Sequence, residues 1–313
     1  MSALRQLWLS SRPLSWVNTA YPFGAAYLLA VGQLDLTFWI GTLFFLVPYN
    51  FAMYGINDVF DYESDLRNPR KGGVEGAVLN PRLHRATLWL AILSCLPFVV
   101  YLLWVGSIAS DVVLAVSLFA VAAYSWRGLR FKEVPFLDSV TSSTHFVSPA
   151  VFALVLAGVH FDLRLWFILA AYFAWGMASH AFGAVQDISA DRQAGLSSIA
   201  TVLGAARTSR FALAGYALAG VFLLLAALPQ SMPAGWVAVF PATGAVFVPR
   251  SGQPGLLIAA SLAVLPYLAM VWPFRSLADA DCEQANRGWR KFLTINFVVG
   301  AYVTVLLILS ALS

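Results

Sequence analysis

FALAGYALAGVFLLLAALPQSMPAGWVAVFPATGAVFVP, residues 211–249, runs for thirty-nine positions without an Asp, Glu, Lys or Arg. A helix crossing the hydrocarbon core of a bilayer needs about 20 apolar residues, so this stretch exceeds what one crossing requires. The rest of the chain agrees. Of 313 residues, 60% are hydrophobic and 11% charged, with a mean hydropathy of +0.76, whereas about a quarter of the residues in a soluble domain are charged. An outer-membrane barrel is excluded too, because its strands alternate apolar and polar residues in short segments. The two cysteines, Cys95 in an apolar run and Cys282 in a charged loop, offer neither a disulfide framework nor metal-site spacing.

Apolar runs bounded by charged or turn residues fall at about 14–31, 37–57, 87–106, 109–126, 139–159, 165–186, 208–228, 255–273 and 292–312. They predict an all-α polytopic membrane protein with nine transmembrane helices, forming a single domain over 1–313. The segment 236–249 is short and interrupted by Pro241 and Gly244, so length alone leaves it open between a crossing and a surface or re-entrant segment. Charge distribution decides between them. With nine crossings and a cytoplasmic N-terminus, seventeen of the 19 Lys and Arg fall in inside loops and only Arg164 and Arg250 lie outside, which is the positive-inside bias. A tenth crossing would move Arg275, Arg287, Arg290 and Lys291 outside. Arg5 and Arg12 precede the first run without a small-residue cleavage site, so that run reads as a retained helix rather than a signal peptide. The isoelectric point near 9.2 has its source in the same loops, which lie beside anionic lipid and call for no nucleic-acid partner. The expected location is the cell (plasma) membrane.

Two acidic helix ends carry the chemistry. The second run ends in Asn57-Asp58-Val59-Phe60-Asp61-Tyr62-Glu63-Ser64-Asp65, followed by Arg67, Arg70 and Lys71. Spacings of three and four put Asp58, Asp61 and Asp65 on one helical face, which Asn50 and Tyr54 extend into the membrane. The sixth run ends in Gln186-Asp187-Ile188-Ser189-Ala190-Asp191-Arg192, with two carboxylates one turn apart and Gly183, His180 and Gly176 upstream on roughly the same face. Clustered like charges require compensation, and hard carboxylate oxygens without His or Cys nearby suit Mg²⁺ bridging to phosphate oxygens. Arg67, Arg70, Lys71, Arg130, Lys132 and Arg192 are candidates to neutralise an anionic ligand, and a diphosphate fits that description. The plain alternative is that these carboxylates are solvated at the membrane surface, and it is kept for Glu63, Glu75 and Glu133. Two clusters on one side of the membrane favour a metal-diphosphate site. His145, His180, Asn18 and Asn50 are polar groups inside apolar runs and are read as cavity lining. Trp16, Trp39, Trp166 and Trp289 are read as interfacial anchors.

At these residues the sequence resembles the UbiA family of membrane prenyltransferases, over nearly the whole chain. Asn57 to Asp65 is similar to its first Asp-rich motif, Asp187 to Gly195 to its second, and Tyr124-Ser125 with Arg130 and Lys132 to its "YS…R.K" loop after the fourth helix. Ser189 stands where an acidic residue is common, and Trp126-Arg127-Gly128 where many members have prolines. Within the family, DVFDYESDLRNPRKGG (58–73) and QDISADRQAGLSSIATVLG (186–204) are most similar to bacterial lycopene elongases. The resemblance implies a UbiA-type bundle of nine helices and Mg²⁺ held by Asp58, Asp61, Asp65, Asp187 and Asp191. It implies catalytic involvement of Asn57, and diphosphate binding by Arg67, Arg70, Lys71, Tyr124, Arg130, Lys132 and Arg192. The implied reaction is transfer of a dimethylallyl group from its diphosphate onto the end of lycopene, with water quenching the cation. Tyr54 and Tyr124 are candidates to steady that cation through their ring faces, and His145 or His180 to guide the water.

Three other readings stand beside this one. A prenyltransferase could act on an aromatic or quinone precursor or a chlorophyll-type alcohol. A secondary transporter would carry buried charge near the midplane, where this chain has only scattered Asn and His. A lipid-binding scaffold would tolerate Asp58→Ala. Protein partners are not legible.

Overall fold

The computed structural model describes residues 2–66, 78–229 and 254–312. Segment 236–249 and the side chains of Arg67, Arg70 and Lys71 fall outside these residues. The chain gathers into two compact units, Met1–Lys132 with Thr144–Val159, and Glu133–Ser143 with His160–Ser313.

The first unit contains α1 (Ala3–Ser10), α2 (Val17–Val31), α3 (Leu36–Leu46), α4 (Pro48–Phe60), α5 (Tyr62–Asp65), α6 (Pro81–Val105), α7 (Ile108–Ser125) and the turns of α8 (Leu137–Leu156) from Thr144 onward. The helix starts are written locally. Asp35 caps α3 by accepting from the Phe38 amide at 2.8 Å. Asn80 caps α6 with Pro81 behind it, and Ser107 and Ser110 form a reciprocal capping box on α7. Pro48 separates α3 from α4, because its ring clashes with the preceding turn and it offers no amide hydrogen. Asn50, fully buried, bridges the break. Its amide donates to Thr19 Oγ1 at 2.6 Å and to the carbonyls of Phe45 and Leu46 at 2.8 and 3.1 Å. Backbone carbonyls inside a membrane need such partners. The amide of Asn50 is thus built into the fold. The core of this unit is aromatic: Phe23, Phe44, Phe45, Tyr49 and Phe152 pack with neighbouring ring centroids 4.8–6.0 Å apart.

The second unit contains the first turns of α8 up to Ser143, then α9 (Leu163–Val185), α10 (Ile188–Gln193), α11 (Ile199–Leu203), α12 (Ala205–Ala227), α13 (Pro254–Ser261), α14 (Leu265–Val271) and α15 (Asn286–Leu312). Asp162 caps α9 through the Leu165 amide at 2.7 Å. Small residues let these helices approach, as packing in lipid requires. A side chain at Gly176 would run into Ser143, and one at Gly183 would meet the Trp289 ring at 3.0 Å. Trp289 also stacks on Phe292 at 4.6 Å, so it packs within this unit. Gly288 lies against Phe182 and Phe274, with both rings 2.8 Å from where a Cβ would stand. Gly288→Ala is therefore expected to destabilise the protein by about 1–3 kcal/mol through overpacking. Thermal melting in detergent checks this, and an unchanged transition would mean that the two rings have room to yield.

Eight helical runs among the described residues are long and apolar enough to cross a membrane: Leu36–Phe60, Pro81–Val105, Ile108–Ser125, Leu137–Leu156, Leu163–Val185, Ala205–Ala227, Pro254–Phe274 and Asp279–Leu312. They coincide with eight of the nine apolar runs. The remaining run, 14–31, contains the 15-residue α2 with Pro22 inside it. At 1.5 Å per residue α2 spans roughly 22 Å, short of a hydrocarbon core of about 30 Å.

Candidate active site

In the first unit, Asn57 and Asp58 lie in the last turn of α4 and Asp61 is its C-cap. The helix is interrupted at Asp61, so Asp58 and Asp61 meet at the end of α4 while Asp65 belongs to the separate turn of α5. Asp58 is fully buried and Asp61 is 6% exposed. Isolated carboxylates would not stay ionised there, and three basic side chains surround them. The Arg12 guanidinium meets Asp58 at 3.0 Å and lies over the Tyr54 ring, 4.5 Å from its centroid. Lys132 pairs with Asp61, and Arg130 approaches the same carboxylate at 3.6 Å. Ser125 donates to the Asn57 side-chain oxygen at 2.9 Å. The Tyr124 to Lys132 stretch is thereby folded onto the end of α4. Tyr124 itself meets the His145 ring edge to face, centroids 5.3 Å apart.

Arg12 and Arg130 share a further property. Their φ angles are +50° and +44°, in the left-handed region that non-glycine residues seldom adopt. Two of the three non-glycine residues with positive φ among those described are thus the arginines aimed at the buried aspartates. Strained backbone of this kind persists where surrounding contacts enforce it and concentrates at functional sites. Arg12 is the residue that sequence reasoning missed. No periodicity connects it with a carboxylate 46 positions away. Asp65 ends α5, and Asn18 is half-buried on α2.

In the second unit, Asp187 immediately precedes α10 and Asp191 lies in its first turn, with the Asp191 amide donating to the Asp187 carbonyl at 2.8 Å. The two carboxylates are half-buried and one turn apart, as their spacing required. Buried Gln186 accepts from Asn286 at 2.6 Å and donates to the Gly183 carbonyl at 3.0 Å, which fixes the helix end that carries them. Ser189 places its hydroxyl 3.2 Å from the Cys282 sulfur. Exposed Arg192 bridges Asp279 and the Thr201 carbonyl, both at 2.7 Å. Asp279 also accepts from the Ala205 amide at 2.7 Å and so joins α10 to the start of α12. His180 on α9 meets Ser139 at 3.1 Å.

Among the described residues, no three Asp, Glu, His or Cys side chains converge on a point. The donors at the acidic helix ends are nevertheless hard oxygens: the carboxylates of Asp58, Asp61, Asp187 and Asp191 and the amide oxygen of Asn57. That donor chemistry fits Mg²⁺ and not a soft metal.

Helices long and apolar enough to span a bilayer, with carboxylates held at helix ends among basic side chains, define an integral membrane protein. The chain belongs to the UbiA prenyltransferase family, whose match covers residues 19–298. It is 53% identical over 309 residues to the C(50) beta-cyclic carotenoids biosynthesis protein of Dietzia sp. (strain CQ4), covering 99% of this chain and 66% of that one. The chain thus spans about two thirds of that relative. It is 50% identical over 308 residues to the lycopene elongase/hydratase of Corynebacterium glutamicum, covering 98% of each. Its fold is that of a UbiA homolog from Archaeoglobus fulgidus, solved bound to GPP and Mg²⁺, with a TM-score of 0.67 at 16% identity over 94% of this chain and 99% of that one. The same homolog bound to DMAPP and Mg²⁺ matches with a TM-score of 0.65 at 15% identity, over 94% and 98%.

Proposed function

We propose that this chain is a lycopene elongase: it transfers a dimethylallyl group from its diphosphate to the end of lycopene, and water quenches the cation to leave a longer, hydroxylated carotenoid. The observation that carries this reading is 50% identity across 98% of both chains with a relative named lycopene elongase/hydratase. The buried carboxylate and cation cluster around Asp58 and Asp61 supports the transferase part. The whole chain, 1–313, is read as one transferase domain of the plasma membrane, with α2 completing nine crossings, the N-terminus cytoplasmic and the acidic loops facing the cytoplasm.

Asp58, Asp61, Asp65, Asp187 and Asp191 are the side chains that would hold Mg²⁺, which when bound supplies Lewis-acid stabilisation of the departing diphosphate. Arg12, Arg130 and Lys132 share the role of balancing negative charge, joined by Arg67, Arg70, Lys71 and Arg192. The arginines suit bidentate phosphate contacts. Tyr124 is read as a further diphosphate contact. As the C–O bond breaks, negative charge grows on the diphosphate and positive charge on the allyl group. Cations at the helix end stabilise the first change, and the apolar interior keeps bulk water from the second. Tyr54, Asn18 and His145 are read as lining for the acceptor.

The test is mass analysis of pigments from lycopene-producing cells that express the chain, with an Asp61→Ala control of matched membrane abundance. Hydroxylated products carrying one or two extra five-carbon units, absent from the control, are expected. Unaltered lycopene in both would remove the elongase assignment and direct the search to aromatic acceptors.

A further inference from the structure

Of the four histidines, His84 lies 3.1 Å from the Leu79 carbonyl and His160 sits in the loop before α9. His145 and His180 are within spanning helices. His180 stands apart through its surroundings in the second unit. Its Nδ1 is 3.1 Å from Ser139 Oγ, and the residue before Ser139 is Asp138, whose side chain is fully buried. One Asp138 oxygen accepts from the Ser139 amide at 2.6 Å and the other from the Ile199 amide at 2.7 Å. Both oxygens are therefore fixed by donors that suit the ionised form. The helix starts of α8 and α11 favour that negative charge but supply no whole positive one. Among the described residues, no Lys or Arg lies within ion-pair distance of Asp138.

A buried carboxylate inside a membrane protein is costly without a counter-charge, and such residues as a rule serve a function. Asp58 and Asp61 have permanent cations beside them. Asp138 instead holds the amide of Ser139, the residue whose hydroxyl meets His180, a group able to become cationic for part of a reaction cycle. His180 is seven residues before Asp187, on the same side of the helix and roughly 10 Å deeper along its axis. A base that acts after the carbon–carbon bond has formed belongs at such a depth, away from the diphosphate.

We infer that His180, held by Ser139 and balanced by Asp138, is the base that takes the proton when water quenches the carotenoid cation. The inference rests on the elongase reading above. The allylic C–O bond breaks and its electron pair leaves with the diphosphate. The π pair of the terminal acceptor alkene forms the new C–C bond, which leaves a tertiary cation on the neighbouring carbon. A water lone pair forms the C–O bond to that carbon, and the water's proton passes to His180 Nε2 while Nδ1–H donates to Ser139 Oγ. Asp138, the residue before Ser139, supplies the negative charge that balances the imidazolium until the proton returns to solvent. Without this base the cation loses a proton from an adjacent carbon, and an alkene replaces the alcohol.

The test measures, in lycopene-producing cells, the ratio of hydroxylated to non-hydroxylated five-carbon-extended products for His180→Gln, Ser139→Ala and Asp138→Asn. General-base assistance typically contributes 10²–10⁴-fold, so a fall in that ratio of about tenfold or more is expected for His180→Gln, with smaller falls for the other two. Incorporation of ¹⁸O from labelled water identifies the hydroxyl source. A ratio equal to that of the unaltered chain, at whatever total conversion, would overturn the inference, because a structural role lowers both products in proportion. Complete loss of both products in all three variants would overturn it as well. If the unaltered chain extends lycopene but leaves no hydroxyl, this inference alone is lost. If it extends nothing, the elongase reading itself fails.

Discussion

Replacing Asp61 with asparagine is expected to lower the initial rate of five-carbon transfer by about 10²–10³-fold while the protein still inserts in the membrane. The side chain is 6% exposed and lies against Lys132 and Arg130. Asparagine keeps its size and one oxygen but removes the charge. Two losses follow: a hard anionic ligand suited to Mg²⁺, and the anion that holds two cations at the end of α4. An electrostatic contribution of about 3–4 kcal/mol to the transition state corresponds to that range at ~1.4 kcal/mol per factor of ten. Stability falls less than the rate does, because lysine and arginine can extend their charged heads toward the aqueous boundary. Initial rates in membranes of matched protein abundance, beside thermal melting of the purified variant, separate the two effects. A rate within about threefold of the unaltered chain would remove Asp61 from the machinery.

Arg12→Ala gives the second large effect, this time on stability. The guanidinium contacts a fully buried carboxylate at 3.0 Å and covers the Tyr54 ring. Removing one partner of a buried ion pair typically costs about 3–5 kcal/mol, because the other charge loses its compensation. Asp58→Asn in the same chain is expected to restore a large part of that loss, a coupling of about 1–3 kcal/mol in the double-mutant cycle. The backbone supplies an independent check. At φ +50° alanine is strained and glycine is not, so Arg12→Gly is expected to be more stable than Arg12→Ala by about 1 kcal/mol. Equal stabilities of the two variants would mean that the segment relaxes out of its left-handed conformation once the ion pair is gone. Additive effects of Arg12→Ala and Asp58→Asn would mean that the contact contributes nothing to the folded state.

The two acidic motifs show how far local patterns reach. The placement of Asp58 and Asp61 at the end of α4, and of Asp187 and Asp191 one turn apart, was legible because helical periodicity is a property of adjacent residues. Their surroundings were less legible. Arg130 and Lys132 stood among the candidate cations, but no local pattern paired them with a particular carboxylate, and the folded chain set both on Asp61. Asn50 illustrates a different gap. A polar residue in an apolar run can mark a cavity or a backbone defect, and only the fold shows the Asn50 amide donating at the Pro48 break, to Thr19 and the Phe45 carbonyl.

What the sequence determined by itself is the long apolar helices and the acidic residues at their ends. Hydropathy summed over about 20 residues, and spacings of three and four, are short-range quantities that tertiary packing does not alter. What only the tertiary structure decided is which charges meet. Arg12 reaches Asp58 across 46 positions, and Asp138 takes the Ile199 amide across 61. A buried ion pair or polar network forms where folding brings its members into one desolvated space, and no term in the local sequence records that distance.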